Sequence, residues 1–401
     1  FSFPCFFFRV SIICACFNAM GAACSTEWGD ESEGAGSRGA KAQAARNSKA
    51  HQTVRHWHDK MMMSAASQAV FEAAQRGDSR KVHAALNAHG DPNCVNFAGY
   101  SALMLSVGGG YIEVVAMLLQ ATADPNRGIL GVTPLMMAAA SGQLEAARML
   151  VNSGAAASGA CQALGRTALH RAAQRGYGEV VRLLIQAGAS VDIGDFEETT
   201  ALMLAALEGH PDVLKVLLCA GASVSLANTA GESALSLCVK NAHEGCLETM
   251  LRAGAPVNVS NRTTGNTALA EAAKVGSEVL CRRILQYQAN VNSANTRGET
   301  PLMLAAKSGH EQVARMLLVA GANTAAQDIN GHTALMHAAG SNMGVVSALL
   351  DFGSNPSVVS KVDSNTPTTL AALHGRKDVY DLLVRAGAFV PSLEDDGRPK
   401  T

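Results

Sequence analysis

A stretch of 33 residues, Gly298 to Asn330, constrains the fold more than any other feature of the chain; it reads GETPLMLAAKSGHEQVARMLLVAGANTAAQDIN. Thr300 is placed to cap a helix through its hydroxyl, and Pro301 stands where a helix tolerates proline, at its first position. Leu302, Leu304, Ala305 and Ala306 predict a short helix with a small-residue face, ended by a left-handed residue at Gly309. A second helix is predicted from about Glu311, with Val313, Met316, Leu317 and Leu318 on one side and Gly321 closing it. Asn323 to Gly331 is polar and turn-rich, too short for another helix, and suits an extended finger or hairpin. Two helices this short cannot bury their apolar faces alone. They need copies on either side.

The copies are present. The threonine or its stand-in recurs at Gln68, Ser101, Thr133, Thr167, Thr200, Ser233, Thr267, Thr300, Thr333 and Thr366, in steps of 32 to 34 residues. Self-similarity of this kind outranks other sequence signals, because each unit is stable only when stacked on its neighbours. The period, together with TPLM-x-A-A, G-H and L-L-x-x-G-A, resembles the ankyrin repeat, with TALH around His170 the closest match. The resemblance covers about residues 67–390. It implies a mainly α, elongated solenoid of stacked helix pairs with short β-hairpin fingers. It also implies a non-enzymatic protein-binding module, an adaptor or scaffold whose partner lies along the concave face of finger tips and inner helices. The alternative implied by the same resemblance is the ankyrin portion of a larger enzyme or channel, such as a kinase or acyltransferase.

Composition agrees with close stacking. Apolar residues make up 48% of the chain but aromatics only 4%, and small side chains let helices approach. A net charge of −1 with 16% charged residues gives no basic surface of the kind nucleic acid requires. Six cysteines of the array (Cys94, Cys161, Cys219, Cys238, Cys246, Cys281) lack metal-ligand spacing and read as buried or half-buried free thiols in a reducing, cytoplasmic compartment. No phosphate-binding loop, HExxH, GxSxG or CxxC pattern occurs, so no catalytic residue, metal site or cofactor is expected. His56-Trp57-His58-Asp59 has no partner spacing elsewhere and reads as incidental. His170, His210, His310 and His337 read as structural. Met104, Met136, Met203, Met303 and Met336 share one register and read as core, the rival being an adaptable binding stripe.

Residues 1–66 are different material. Phe1 to Phe17 is apolar but interrupted by Pro4 and Arg9, shorter than the roughly 20 residues that span a bilayer; untranslated sequence and a signal peptide are the two readings of residues 1–19. A start at Met20 would expose Gly21, with Ser25 completing the M-G-x-x-x-[ST] acylation pattern and Cys24 open to palmitoylation. A basic run from Arg38 to Lys60 would supply a further membrane signal. Residues 20–66 otherwise read as a disordered linker, 67–391 as the array, and 392–401 as an acidic disordered tail.

Seven places after each capping residue lies a slot the fold leaves free. It holds Lys240, Lys274 and Lys307 in three consecutive repeats, a ladder suited to an acidic segment of a partner, or else a solvated surface paired with Glu232 and Glu299. Finger tips change character along the chain: Phe97, Ile129, Leu130, Leu164 and Phe196 are apolar, while later tips are polar. A row of apolar tips is the size of an interaction patch. Four irregularities stand out: the Gly108–Gly110 run, Ala242 in place of a glycine, a residue missing near Asn342, and Thr368–Thr369 at apolar positions. The last reads as an end cap facing water.

Overall fold

The computed structural model describes residues 64–389 except Phe97. Ten helix pairs follow one another, from Ala65–Arg76 with Ser79–Asn87 to Pro367–Leu373 with Lys377–Arg385. In each pair the first helix packs on its own second helix and on the first helices before and after it; the second helices form a parallel row. Among the described residues no helix is long and apolar enough to cross a membrane.

The repeat chemistry sets the helix boundaries. Thr300 accepts a hydrogen bond from the Met303 amide through its hydroxyl, Pro301 opens the helix, and Gly309 ends it in the left-handed conformation. Thr133, Thr167, Thr200, Thr267, Thr333 and Thr366 cap their first helices in the same way. Gln68 does not. Ser64 caps the first helix, which is 12 residues long and so starts a turn earlier than its counterparts.

One continuous core runs between the helix layers. Its first-helix lining is leucine and alanine, such as Leu202, Ala205 and Ala206, and its second-helix lining is branched, such as Val213, Leu214 and Leu217, all at most 1% exposed. The five methionines in register are buried, at 0–2% exposure. They are core. Five of the six array thiols are buried as well, but Cys219 is exposed, because it closes its second helix on the solvent side.

Thr368 and Thr369 are both 1% exposed, which corrects their reading as a water-facing cap. Thr369 donates to the Thr366 carbonyl at 2.9 Å and accepts from the Thr366 amide at 2.8 Å. Thr368 donates to the Phe389 carbonyl at 3.0 Å. Hydroxyls with internal partners are tolerated in a core.

The fingers are hairpins in miniature. The first five close on a single bridge each, such as Val95–Ser101, Gly194–Thr200 or Ala227–Ser233, in place of strands. An Asp or Asn five residues before the cap pins the turn: the Asp195 carboxylate accepts from the Glu197 and Thr199 amides, each at 3.0 Å. Asn295 and Asp328 do the same in their fingers. The finger between the third and fourth pairs, which lacks Asp and Asn, closes on Cys161. The Cys161 amide donates to the Arg166 carbonyl at 3.0 Å, and its carbonyl accepts from Gly165 at 2.9 Å.

Left-handed positions locate the weak joints. Thr122 at φ 63° and Ala242 at φ 57° stand where most other repeats place glycine. A left-handed conformation costs a non-glycine residue roughly 1–2 kcal/mol, most for a β-branched one. Thr122→Gly and Ala242→Gly are each expected to stabilise the array by about 0.5–1 kcal/mol after the entropy loss of glycine, read as a higher urea midpoint. In repeat nine the missing residue shortens the first helix to Ala334–Ala339, and its closing Gly340 is right-handed at φ −90°. Asn342 then caps the second helix.

Candidate functional site

Most neighbouring fingers join side by side through their backbones, and others through side chains, as where Asn261 and Thr263 donate to the Ala230 carbonyl. Gln162 donates to the Leu130 carbonyl and Phe196 to the Leu164 carbonyl, each at 3.0 Å; further along, Ile329 donates to the Arg297 carbonyl at 3.0 Å. This fixes the tip residues in one line. Leu130 is 69% exposed, Phe196 68% and Leu164 48%, whereas Ile129 is half-buried and rests over Gly99 of the preceding finger. Phe196 lies over Gly165 in the same manner while keeping its outer face open. Phe97 lies outside the described residues, as do Gly21 and Cys24.

Lys240, Lys274 and Lys307 occupy the ends of three successive first helices, all exposed. Lys240 pairs with Glu232 at 2.8 Å and Lys307 with Glu299 at 3.1 Å. Each glutamate comes from the finger just before the lysine's own helix. Lys274 makes no ion pair among the described residues. The hydrogen bond to Glu232 is the main influence that raises the Lys240 ammonium above its ordinary value. Burial acts on Glu299 in the raising direction, but hydrogen bonds from Asn295 and Lys307 outweigh it and hold its carboxyl below the usual range. The more open Lys240–Glu232 pair contributes roughly 0–1 kcal/mol, so a partner can displace it.

The same face carries a polar network from finger to finger. Arg166 bonds Asp195 at 3.0 Å and Gln174 at 3.2 Å, and Gln174 donates to Glu208 at 3.3 Å. Asn295 donates to Asn266 at 2.9 Å, and Asn266 to Glu271 at 2.7 Å. The histidines divide by role. His210 and His310 bond the carbonyls of Gln174 and Lys274, each at 3.1 Å and one repeat back, and His243 bonds Leu207 likewise at 3.0 Å. His170 completes a capping box with Thr167, and its Nε2 meets the Thr199 carbonyl at 3.0 Å. These four tie repeats together. His337 differs: it faces the Asp328 carboxylate at 3.0 Å, a cluster the sequence reading passed over. Its signal was present, since His332 and His337 flank the cap Thr333 in a finger that already holds Asp328.

Burial is the leading influence on His170 and pushes its imidazole below the ordinary 6.5, the Thr199 carbonyl opposing. His337 is lowered in the same way, with Asp328 opposing. Both are therefore neutral when folded, and the unfolded chain takes up the protons first. Stability from these groups is present above about pH 6.5 and is lost as pH falls through the depressed folded-state values. The urea midpoint is expected to drop between about pH 7.5 and 5.5, with a shallower drop in His170→Gln.

A stack of helix pairs joined by short fingers, with polar side chains gathered on the finger side, defines a repeat solenoid. Ankyrin-repeat family models match residues 70–158, 156–228, 235–328 and 318–393. The chain belongs to the ankyrin repeat family, whose members are generally protein-interaction modules. Among solved structures, the ankyrin repeat domain of Bcl-3, a member of the IkappaB protein family, is 30% identical, with a TM-score of 0.51, covering 55% of this chain and 99% of that one. The human ASB11 ankyrin repeat domain is 25% identical, with a TM-score of 0.51, covering 57% of this chain and 100% of that one. No curated protein matches the chain.

Proposed function

We propose that the chain is a non-enzymatic adaptor or scaffold that holds a protein partner along the face formed by its finger tips and first helices. The observation that carries this reading is the bonded line of fingers, which presents Leu130, Leu164 and Phe196 to solvent at one end and the lysine slot at the other. A partner segment with apolar residues followed by acidic ones fits that order. Because Lys240 and Lys307 already have carboxylate partners, Lys274 contributes most of the charge available to such a segment. Exposed apolar side chains aligned with hydrogen-bonding groups at their rim are the usual make-up of a recognition patch.

The test compares capture from cell extract by the intact chain, the Leu130→Ala/Phe196→Ala double variant, Lys274→Glu, and Val319→Ala. Val319 is 77% exposed and lies at the end of a second helix, away from the fingers. Recovery of the main partner is expected to fall about tenfold or more in the double variant, as for a residue worth at least 1.4 kcal/mol, and to fall in Lys274→Glu, with Val319→Ala unchanged. Equal recovery by all four would remove the finger face from the proposal.

Attachment to a membrane through Gly21 and Cys24 rests on the sequence pattern. A single acyl chain binds marginally and a second signal is needed for stable anchoring. Residues 20–401 with a C-terminal fluorescent tag are expected at membranes, and Gly21→Ala is expected to be released. A wild type as diffuse as Gly21→Ala would end that reading.

A further inference from the structure

Where the last two fingers meet, two imidazoles and two carboxylates lie together. His337 Nε2 is 3.0 Å from Asp328 Oδ2, and His332 Nε2 is 2.7 Å from Asp363 Oδ2. The two rings stand edge to face with centroids 5.7 Å apart. The ligating atoms of Asp328, His332 and His337 all lie within 4.8 Å of one another. We propose that Asp328, His332, His337 and Asp363 form a binding site for one zinc ion, which clamps the last two fingers together.

The donor set argues for this class of metal. Two imidazole nitrogens and two carboxylate oxygens suit a four-coordinate zinc ion, whereas calcium and magnesium require oxygen almost throughout. Tetrahedral ligation at about 2.0–2.2 Å needs ligand atoms about 3.4 Å apart. The two short pairs, at 3.0 and 2.7 Å, must therefore open by some tenths of an ångström, and separations of up to 4.8 Å within the Asp328, His332 and His337 trio must close by as much as about 1.4 Å, with Asp363 carried in on the ring of His332. Side-chain rotation supplies movements of this size. On binding, the proton on each Nε2 moves to Nδ1 through solvent, and the neutral ring coordinates.

The supports are already set. Asp328 Oδ1 accepts from the Asn330 and His332 amides, each at 2.9 Å, which aims Oδ2 at His337. Asp363 Oδ1 accepts from the Asn365 amide at 3.1 Å, and Oδ2 from the Asn365 side chain at 2.6 Å. Partners that hold a ligand in place are typical of metal sites.

The slot of His337, four residues after the cap, holds leucine in several other repeats: Leu105, Leu204, Leu237, Leu304 and Leu370. His337→Leu therefore restores the repeat's own residue and preserves the fold. The experiment titrates the chelator-stripped full chain with zinc chloride by calorimetry and with cobalt(II) by absorption. One equivalent is expected to bind with a dissociation constant in the micromolar range or below. The cobalt spectrum is expected to show tetrahedral d–d bands without a thiolate charge-transfer band, which separates this site from the cysteines. Affinity is expected to fall more than tenfold in His337→Leu and in His332→Ala, and about tenfold in Asp363→Asn. Zinc is expected to raise the thermal midpoint of the wild type but not of folded His337→Leu. No binding to the wild type at 100-fold above micromolar zinc, a thiolate spectrum alone, or equal affinity in His337→Leu would overturn the proposal.

Discussion

Leu214→Ala is expected to destabilise the array by about 3–5 kcal/mol, the cost of deleting a fully buried leucine where the surroundings only partly collapse. Leu214 is 0% exposed and lies in Pro211–Cys219, the second helix of repeat five, packed between the second helices of repeats four and six. In a compact domain such a loss would lower one midpoint. In a stack, each repeat is held only by its neighbours, so a weak central unit uncouples the two ends. Repeat six is already compromised by Ala242 at φ 57°. The expected outcome is two urea transitions in place of one, repeats one to four separating from seven to ten. Circular dichroism is the suitable probe, since both tryptophans, Trp28 and Trp57, precede the described array. A single transition shifted by less than about 1 kcal/mol would show that the void is refilled or that coupling crosses repeat five unweakened.

The fold was legible because every constraint recurs at one period. Thr300, Pro301 and Gly309 would each be weak evidence alone, but their counterparts in the other repeats fix helix starts and stops in register. Readings failed where the register gives out. Ser64 was missed because the period alone placed the cap at Gln68, which lies inside the helix that Ser64 opens. Thr368 and Thr369 looked exposed because residue type was read without hydroxyl partners, which only the Thr366 cap and the Phe389 carbonyl reveal.

The site was legible in its lines and obscure in its pairs. Lys240, Lys274 and Lys307 form the row that the slot implies. Glu232 and Glu299 were seen nearby, but their pairing depends on the finger turning back toward the helix end, across eight residues of sequence. His337 was grouped with His170 as a structural histidine, although His170 meets a backbone carbonyl and His337 meets a carboxylate. Asp363 joins that cluster from the next repeat, 31 positions from His332, and no local motif brings it there.

Gly265→Ala is expected to cost about 3 kcal/mol or more, and Gly254→Ala about 1–2 kcal/mol, although both add one methyl group to a glycine with nearly the same backbone. Gly254 has φ 77° and Gly265 φ 73°, so the penalty for a left-handed alanine is common to both, roughly 1–2 kcal/mol. What differs is the space. A Cβ on Gly254 would meet nothing within 4 Å. A Cβ on Gly265 would fall on the Thr296 amide nitrogen, with Thr296 Cγ2 at 2.9 Å and the Asn295 carbonyl carbon at 3.0 Å. The backbone cannot rotate away as a side chain would, so the fingers that precede Thr267 and Thr300 must part. That parting stretches the bond from the Thr296 amide to the Thr264 carbonyl, now 3.2 Å, and overpacking adds about 1–3 kcal/mol to the conformational cost. Urea midpoints measured side by side separate the two contributions. Equal losses in the two variants would show that the fingers are free to spread, and would weaken the case that their bonded line is a fixed recognition surface.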